Sequence, residues 1–168
     1  MALMTAPVAG AYTATFAAVA LGIMDDNGFE LSFTPQGQDI NDTDQFGMSL
    51  IEGIYRGANV RIRFRAKEWT TGVQNLIHTF GAKATATPAW KMGVIGRKYT
   101  DIAGVLILTA TAGTPAAASP ATFTASSALL SPNTNLSFLF TSKLREVAFE
   151  MILLPYTSTG DVVWATTT

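Results

Sequence analysis

Val60-Arg61-Ile62-Arg63-Phe64-Arg65-Ala66-Lys67 alternates between apolar and cationic side chains without a break. A period of two puts Val60, Ile62, Phe64 and Ala66 on one face of a strand and the four cations on the other. The first face belongs in a core. The second is a ladder of like charges that repel unless acids or phosphates lie nearby. A second alternating stretch, Arg145 to Leu154, supplies candidates. Val147, Phe149, Met151 and Leu153 form its apolar face, and Glu146 and Glu150 stand on the other.

Upstream, Tyr12 to Ala18 reads as a strand, and the apolar run Phe16 to Met24 as an Ala-rich buried one. Asp25-Asp26-Asn27-Gly28 is a turn cluster containing Asn-Gly, a strong hairpin signal. Phe29, Leu31 and Phe33 alternate with Glu30, Ser32 and Thr34 as a half-buried strand. Pro35-Gln36-Gly37 is expected to end it. Residues 36–53 then form a long loop or hairpin arm. It carries the acids Asp39, Asp42 and Asp44 together with Ile40, Phe46, Met48 and Leu50, apolar residues that a solvated loop does not need. The segment reads as an arm that docks on something, the alternative being a loop folded over its own core.

Downstream, the period changes. Trp69, Val73, Leu76, Ile77 and Phe80 make one apolar stripe of a helix over about residues 69–80, with Gly81 as its stop. His78 falls opposite Trp69 and reads as an exposed helix residue. Residues 82–100 read as loop anchored by Trp90 and Tyr99, Val105 to Thr111 as a strand, and 112–128 as low-complexity loop around a short strand at Ala121 to Ala125. Leu136, Phe138 and Phe140 begin another strand. Thr157 to Asp161 is a turn and Val162 to Ala165 a last strand. The expectation is a mainly β fold over 1–168 as a single domain, a β-sandwich or barrel with one flanking helix.

Composition narrows the function. The chain has 168 residues, 48% of them hydrophobic and only 14% charged, against roughly 25% in ordinary soluble domains. So little charge points to a self-associating protein. No Cys excludes disulfides, zinc fingers and thiol catalysis, and a lone His excludes a multi-histidine metal site. The net charge of −1 hides a split. Residues 1–55 hold acids and no Lys or Arg; residues 56–98 hold nine bases and only Glu68. Either acidic and basic strands pair within one molecule, or acidic loops of one copy meet basic surface of the next.

Recognisable chemistry is missing. The Asp25 to Gly28 cluster has Ile23 where a calcium loop needs an acid, and the acids at 39, 42 and 44 specify no metal. No serine elbow with a His partner and no phosphate-cradling Gly loop occurs. The arginine ladder lacks the exposed aromatics of single-strand binders. No apolar run reaches the ~20 residues of a membrane span, and no base precedes Arg56 as a secretory signal would require. The expectation is no enzyme, no cofactor, no metal and no membrane, with synthesis in the cytoplasm.

The order of elements resembles the tail tube (major tail) proteins of long-tailed bacteriophages. The resemblance rests on Gly22, the Asp25 to Gly28 turn, Phe29-Glu30-Leu31-Ser32-Phe33, the acidic Asp39 to Asp44 stretch, Gly47, Ile51, and Gly57 leading into Val60 to Phe64. The helix, the late strand Val147 to Leu154 and the Gly160 turn follow in the same order. It implies a β-sandwich whose copies form rings, usually sixfold, with inner sheets joined into a channel for genome ejection. The partners implied are the chain itself, within and between rings, and other tail proteins (terminator, distal tail, tape measure). Genomic DNA would pass through the lumen without specific binding, in a virion tail. The residues expected at subunit interfaces are Asp39, Asp42, Asp44, Phe46, Met48, Arg61, Arg63, Arg65, Glu146 and Glu150. Since such channels tend to be negative, the arginine ladder should be neutralised by Glu146 and Glu150 or by a neighbour's acidic loop. On that reading, Arg63→Glu blocks assembly and leaves the monomer folded. The rival readings are a viral neck, connector or capsid-decorating protein, the inner tube of a contractile injection system, and a monomeric binding module.

Overall fold

The computed structural model describes residues 12–24, 28–42, 49–80, 95–110, 122–136, 146–158 and 161–167. Its strands are β1 (Tyr12–Phe16), β2 (Val19–Ala20), β3 (Glu30–Asp42), β4 (Ser49–Ala66), β5 (Gly104–Ala110), β6 (Thr122–Leu130), β7 (Val147–Leu153), β8 (Tyr156–Ser158), β9 (Asp161–Val163) and β10 (Thr166–Thr167). Two helices, α1 (Thr71–Ile77) and α2 (Tyr99–Ile102), interrupt them. Neither is long and apolar enough to cross a membrane. Eight strands form one antiparallel sheet in the order β2-β1-β5-β6-β7-β4-β3, with β10 also on β6, while β8 and β9 pair separately. The fold is mainly β with a flanking helix, as expected, but the main sheet is one continuous ladder rather than two.

The sheet curls around a single core. Val60, Ile62, Phe64 and Ala66 of β4 and Val147, Phe149, Met151 and Leu153 of β7 are all buried, as the alternation requires. They share that core with Phe16, Leu106 and Leu108 from the opposite end of the sheet. Phe64 faces Phe149 in register, and Phe29 extends the aromatic row, with centroids 5.3–5.4 Å apart. A bridge between Met24 and Ala66 ties the chain after β2 to the far side of the sheet.

The helix is shorter than the stripe Trp69 to Phe80 implies. Thr70 is its N-cap, the hydroxyl accepting from the Val73 N–H at 3.2 Å, so Trp69 lies before the helix and is half exposed. At the other end His78 is the C-cap and half-buried rather than an exposed helix residue. Val73, Leu76 and Ile77 are the stripe positions that bury. The cap is fastened to the segment after β2. Thr70 Oγ1 donates to the Leu21 carbonyl at 3.1 Å, and a Glu68 carboxylate oxygen accepts from the Ile23 N–H at 3.1 Å. A Cβ at Gly72 would run into the Ala20 backbone carbonyl, so the helix sits closer than any other residue allows.

Other boundaries differ for local reasons. Phe16 to Met24 is a hairpin: Ala17 and Ala18 turn with φ of 49° and 64°, the backbone of a tight turn that the pair Ala-Ala does not advertise. β3 runs through Pro35, because alternate N–H groups of an edge strand point away from the ladder and a proline there removes no bond. A bulge follows between Gln36 and Gly37, opposite Gly57 at φ 116°. β6 extends to Leu130, well past Ala125. Tyr99 opens the one-turn α2 instead of lying in loop. Leu136 is half-buried but not in a strand. The C-terminal strand divides at Trp164 into β9 and β10, and Thr157 and Ser158 belong to β8. Asp25 to Asn27, Gly81, Trp90, Phe138, Phe140 and Gly160 lie outside the described residues.

Candidate subunit interface

Strand register puts Glu30 of β3, Arg63 of β4 and Glu150 of β7 abreast on the face away from the core. Arg61 stands opposite Ile152 and reaches diagonally to the same carboxylate. Arg61 Nη1 donates to Glu150 Oε1 at 2.5 Å, and Arg63 Nε donates to Oε2 at 2.6 Å. Arg65 lies 3.8 Å from Glu146. The Glu150 side chain is only 17% exposed, whereas its two arginines are 40% and 53% exposed, so the carboxylate is the embedded member. The Arg63 hydrogen bond, aided by Arg61, holds the Glu150 carboxyl below the usual carboxylate range against the opposing effect of burial. The same bond, with smaller help from Glu30, raises the Arg63 guanidinium. Within one molecule, Glu150 therefore pairs with Arg61 and Arg63, and Glu146 with Arg65, two carboxylates for three guanidiniums. Glu30 is a third acid of this face that the sequence reading did not select, although its place on the polar side of the Phe29 to Phe33 alternation pointed to it.

The acidic stretch lies elsewhere. Beyond the Phe33–Val60 pair the β3–β4 hairpin continues for nine more residue pairs, Thr34–Asn59 to Asp42–Ser49. At about 3.4 Å per residue, that is a ribbon of roughly 30 Å. Within 36–53, the described residues 36–42 and 49–53 thus take the hairpin alternative of the arm. Thr34 to Asp39 and Gly53 to Arg56 are all exposed, including Ile54 and Tyr55. Asp39 faces Gly53, and Asp42 ends β3 opposite Ser49; Asp44, Phe46 and Met48 lie outside the described residues. The structure therefore brings together Arg61, Arg63, Arg65, Glu146 and Glu150, and sets Asp39 and Asp42 apart on the arm.

The root of the hairpin is uncovered. Leu31 and Phe33 pair with Ile62 and Val60 and share their core-facing side, yet they are 52% and 55% exposed. Phe33 meets Trp164 edge-on at 5.8 Å, and with Phe123 and Val163 they border an apolar groove. The Trp164 indole N–H is buried there with no acceptor among the described residues. The alternation Phe29 to Phe33 identified a buried face but not that the chain leaves it half bare. Among the described residues no three His, Asp or Glu side chains gather as a metal site.

No family profile matches the sequence, and no curated protein does. Solved structures do. A chain of the sheath–tube complex of an extracellular contractile injection system (PVC), in its extended state, matches with a TM-score of 0.52 and 8% identity. The match covers 98% of this chain and 93% of that one. The chain's fold is tail-tube-like. A chain of the PVC sheath/tube terminator gives a TM-score of 0.53 at 9% identity, with 99% of each chain covered. At such identity the likeness is one of backbone path, and it extends over nearly the whole chain.

Proposed function

We propose that this protein is a structural tube subunit that self-assembles into stacked rings and performs no catalysis. The observation that carries the reading is the β3–β4 arm. A two-stranded ribbon is marginal in water by itself, yet this one leaves Ile54 and Tyr55 exposed beyond the core. A surface from another subunit completes it. Scarcity of charge and the uncovered Leu31–Phe33 face fit a chain whose surface is largely covered after assembly. The likeness to chains of a sheath–tube assembly supports the same role.

Two settings fit: the tail tube of a long-tailed phage, where hexameric rings would conduct DNA, and the inner tube of a contractile injection system. The second is favoured by the contractile origin of the two structures compared above. Sedimentation velocity over a concentration series tests the common core of the proposal. Growth from a small species to large, discrete oligomers is expected, and an unchanging monomer contradicts it. Polymerisation of a sheath protein on preformed tubes, where the same genome encodes one, separates the contractile setting from the phage tube without a sheath.

A further inference from the structure

We infer that the receptor for the arm is a second copy's basic and aromatic patch around α2, formed by Ile95, Arg97, Lys98 and Tyr99. This rests on the self-assembly proposed above and names the contact that produces it. Ile54 and Tyr55 stand on opposite faces of the ribbon; the Tyr55 face, which register shares with Asp39, needs an apolar platform and a cationic one beside it. From Asp39 to Glu52 the sequence holds four acids and no base, with Arg56 at the arm's root.

The described surface offers three apolar patches to compare. Leu31 and Phe33 lie beside Glu30 at the base of the same hairpin. Ile23 and Trp69 flank Glu68, whose carboxylate is bound to the Ile23 N–H. Ile95 is fully exposed and Tyr99 44% exposed, and between them stand the exposed Arg97 and Lys98. Asp101 on the same turn offsets one of those charges. Tyr99 also shares a cavity with Asn59, Arg61 and Pro155, so the patch is continuous with β4 where the arginine ladder begins. Only the third patch pairs exposed apolar side chains with an excess of cations, which complements the arm in both respects. Arm and receptor are different surfaces, so the contact is head-to-tail and repeats from copy to copy.

Charge exchange tests it. Asp39→Lys with Glu52→Lys, or Arg97→Glu with Lys98→Glu, should each raise the assembly threshold at least ~10-fold by light scattering. All four substitutions in one chain should restore it. Unchanged assembly in either double variant, or no rescue in the quadruple one, overturns the inference. A second readout uses the absence of cysteine. Tyr55→Cys with Tyr99→Cys, treated with a short bis-maleimide, should give a ladder of covalent oligomers, while each single variant stops at the dimer. Assembled particles without a ladder overturn the arm–patch contact and leave the tube reading standing. A wild-type chain that stays monomeric overturns the tube reading and this inference with it.

Discussion

Glu150 carries the electrostatics of the exposed sheet face, and its linkage to pH has a definite sign. Its pKa is lowered from the ordinary 4.5, first by the Arg63 hydrogen bond. The stabilisation is therefore fully present above 4.5 and is lost as pH falls through the lower folded value. Glu150→Gln should cost no more than about 1 kcal/mol at pH 7, because its partners are solvent-exposed. It should also flatten the stability curve below pH 4.5. Urea unfolding at pH 7 and pH 3 checks both, and an unchanged acid slope contradicts the assignment. Arg63→Glu is a poorer probe than the sequence suggests, since it would set three carboxylates abreast with Glu30 and Glu150. Gly72 gives a sharper residue-scale test. Helix propensity alone favours Ala by about 1 kcal/mol, but the added Cβ meets the Ala20 carbonyl. Gly72→Ala should destabilise by about 1–3 kcal/mol, the usual range for overpacking; a stabilised variant would show that α1 is not seated on β2.

Among the elements, β4 and β7 were legible because each buries one face along its core section, and a period of two survives only under that condition. Their ion pairs followed from the same alternation. The β1–β2 turn was not legible. Ala17 and Ala18 adopt positive φ without Asn or Gly, held by the strands on either side. Ala18→Gly should relieve that strain and raise stability by about 0.5–1 kcal/mol, net of the added freedom of the unfolded chain. For a chain of this size that is a rise in Tm of roughly 1–4 °C by calorimetry; a lower Tm argues against the left-handed turn. The arm was legible as a loop or hairpin with surplus apolar residues, but Pro35 concealed that β3 runs into it without a break. Replacing residues 37–56 by a two-residue turn should leave thermal stability within about 1 kcal/mol, because the described side chains there, at 37–39 and 53–56, are exposed and add nothing to the core. Assembly should disappear. A large loss of stability would instead show the arm folded against its own molecule.

At the scale of the whole molecule, burial within one chain and burial between chains leave the same mark on a sequence. Leu31 and Phe33 alternate as regularly as Ile62 and Phe64, yet half their surface is open. For that reason the core could be read from the pattern and the proposed interface could not. Strand order was equally hidden, since it depends on contacts between distant segments, such as β1 with β5 and Met24 with Ala66. Low charge was the one global signal of association, and the bare hairpin root and exposed arm give it a location. Negative-stain electron microscopy of the untagged protein, over a series of concentrations at low and high salt, tests that account most directly. Hollow tubes, or rings that stack as concentration rises and come apart in high salt, are the result it predicts. A uniform small particle, monomeric by light scattering under every condition, would contradict it.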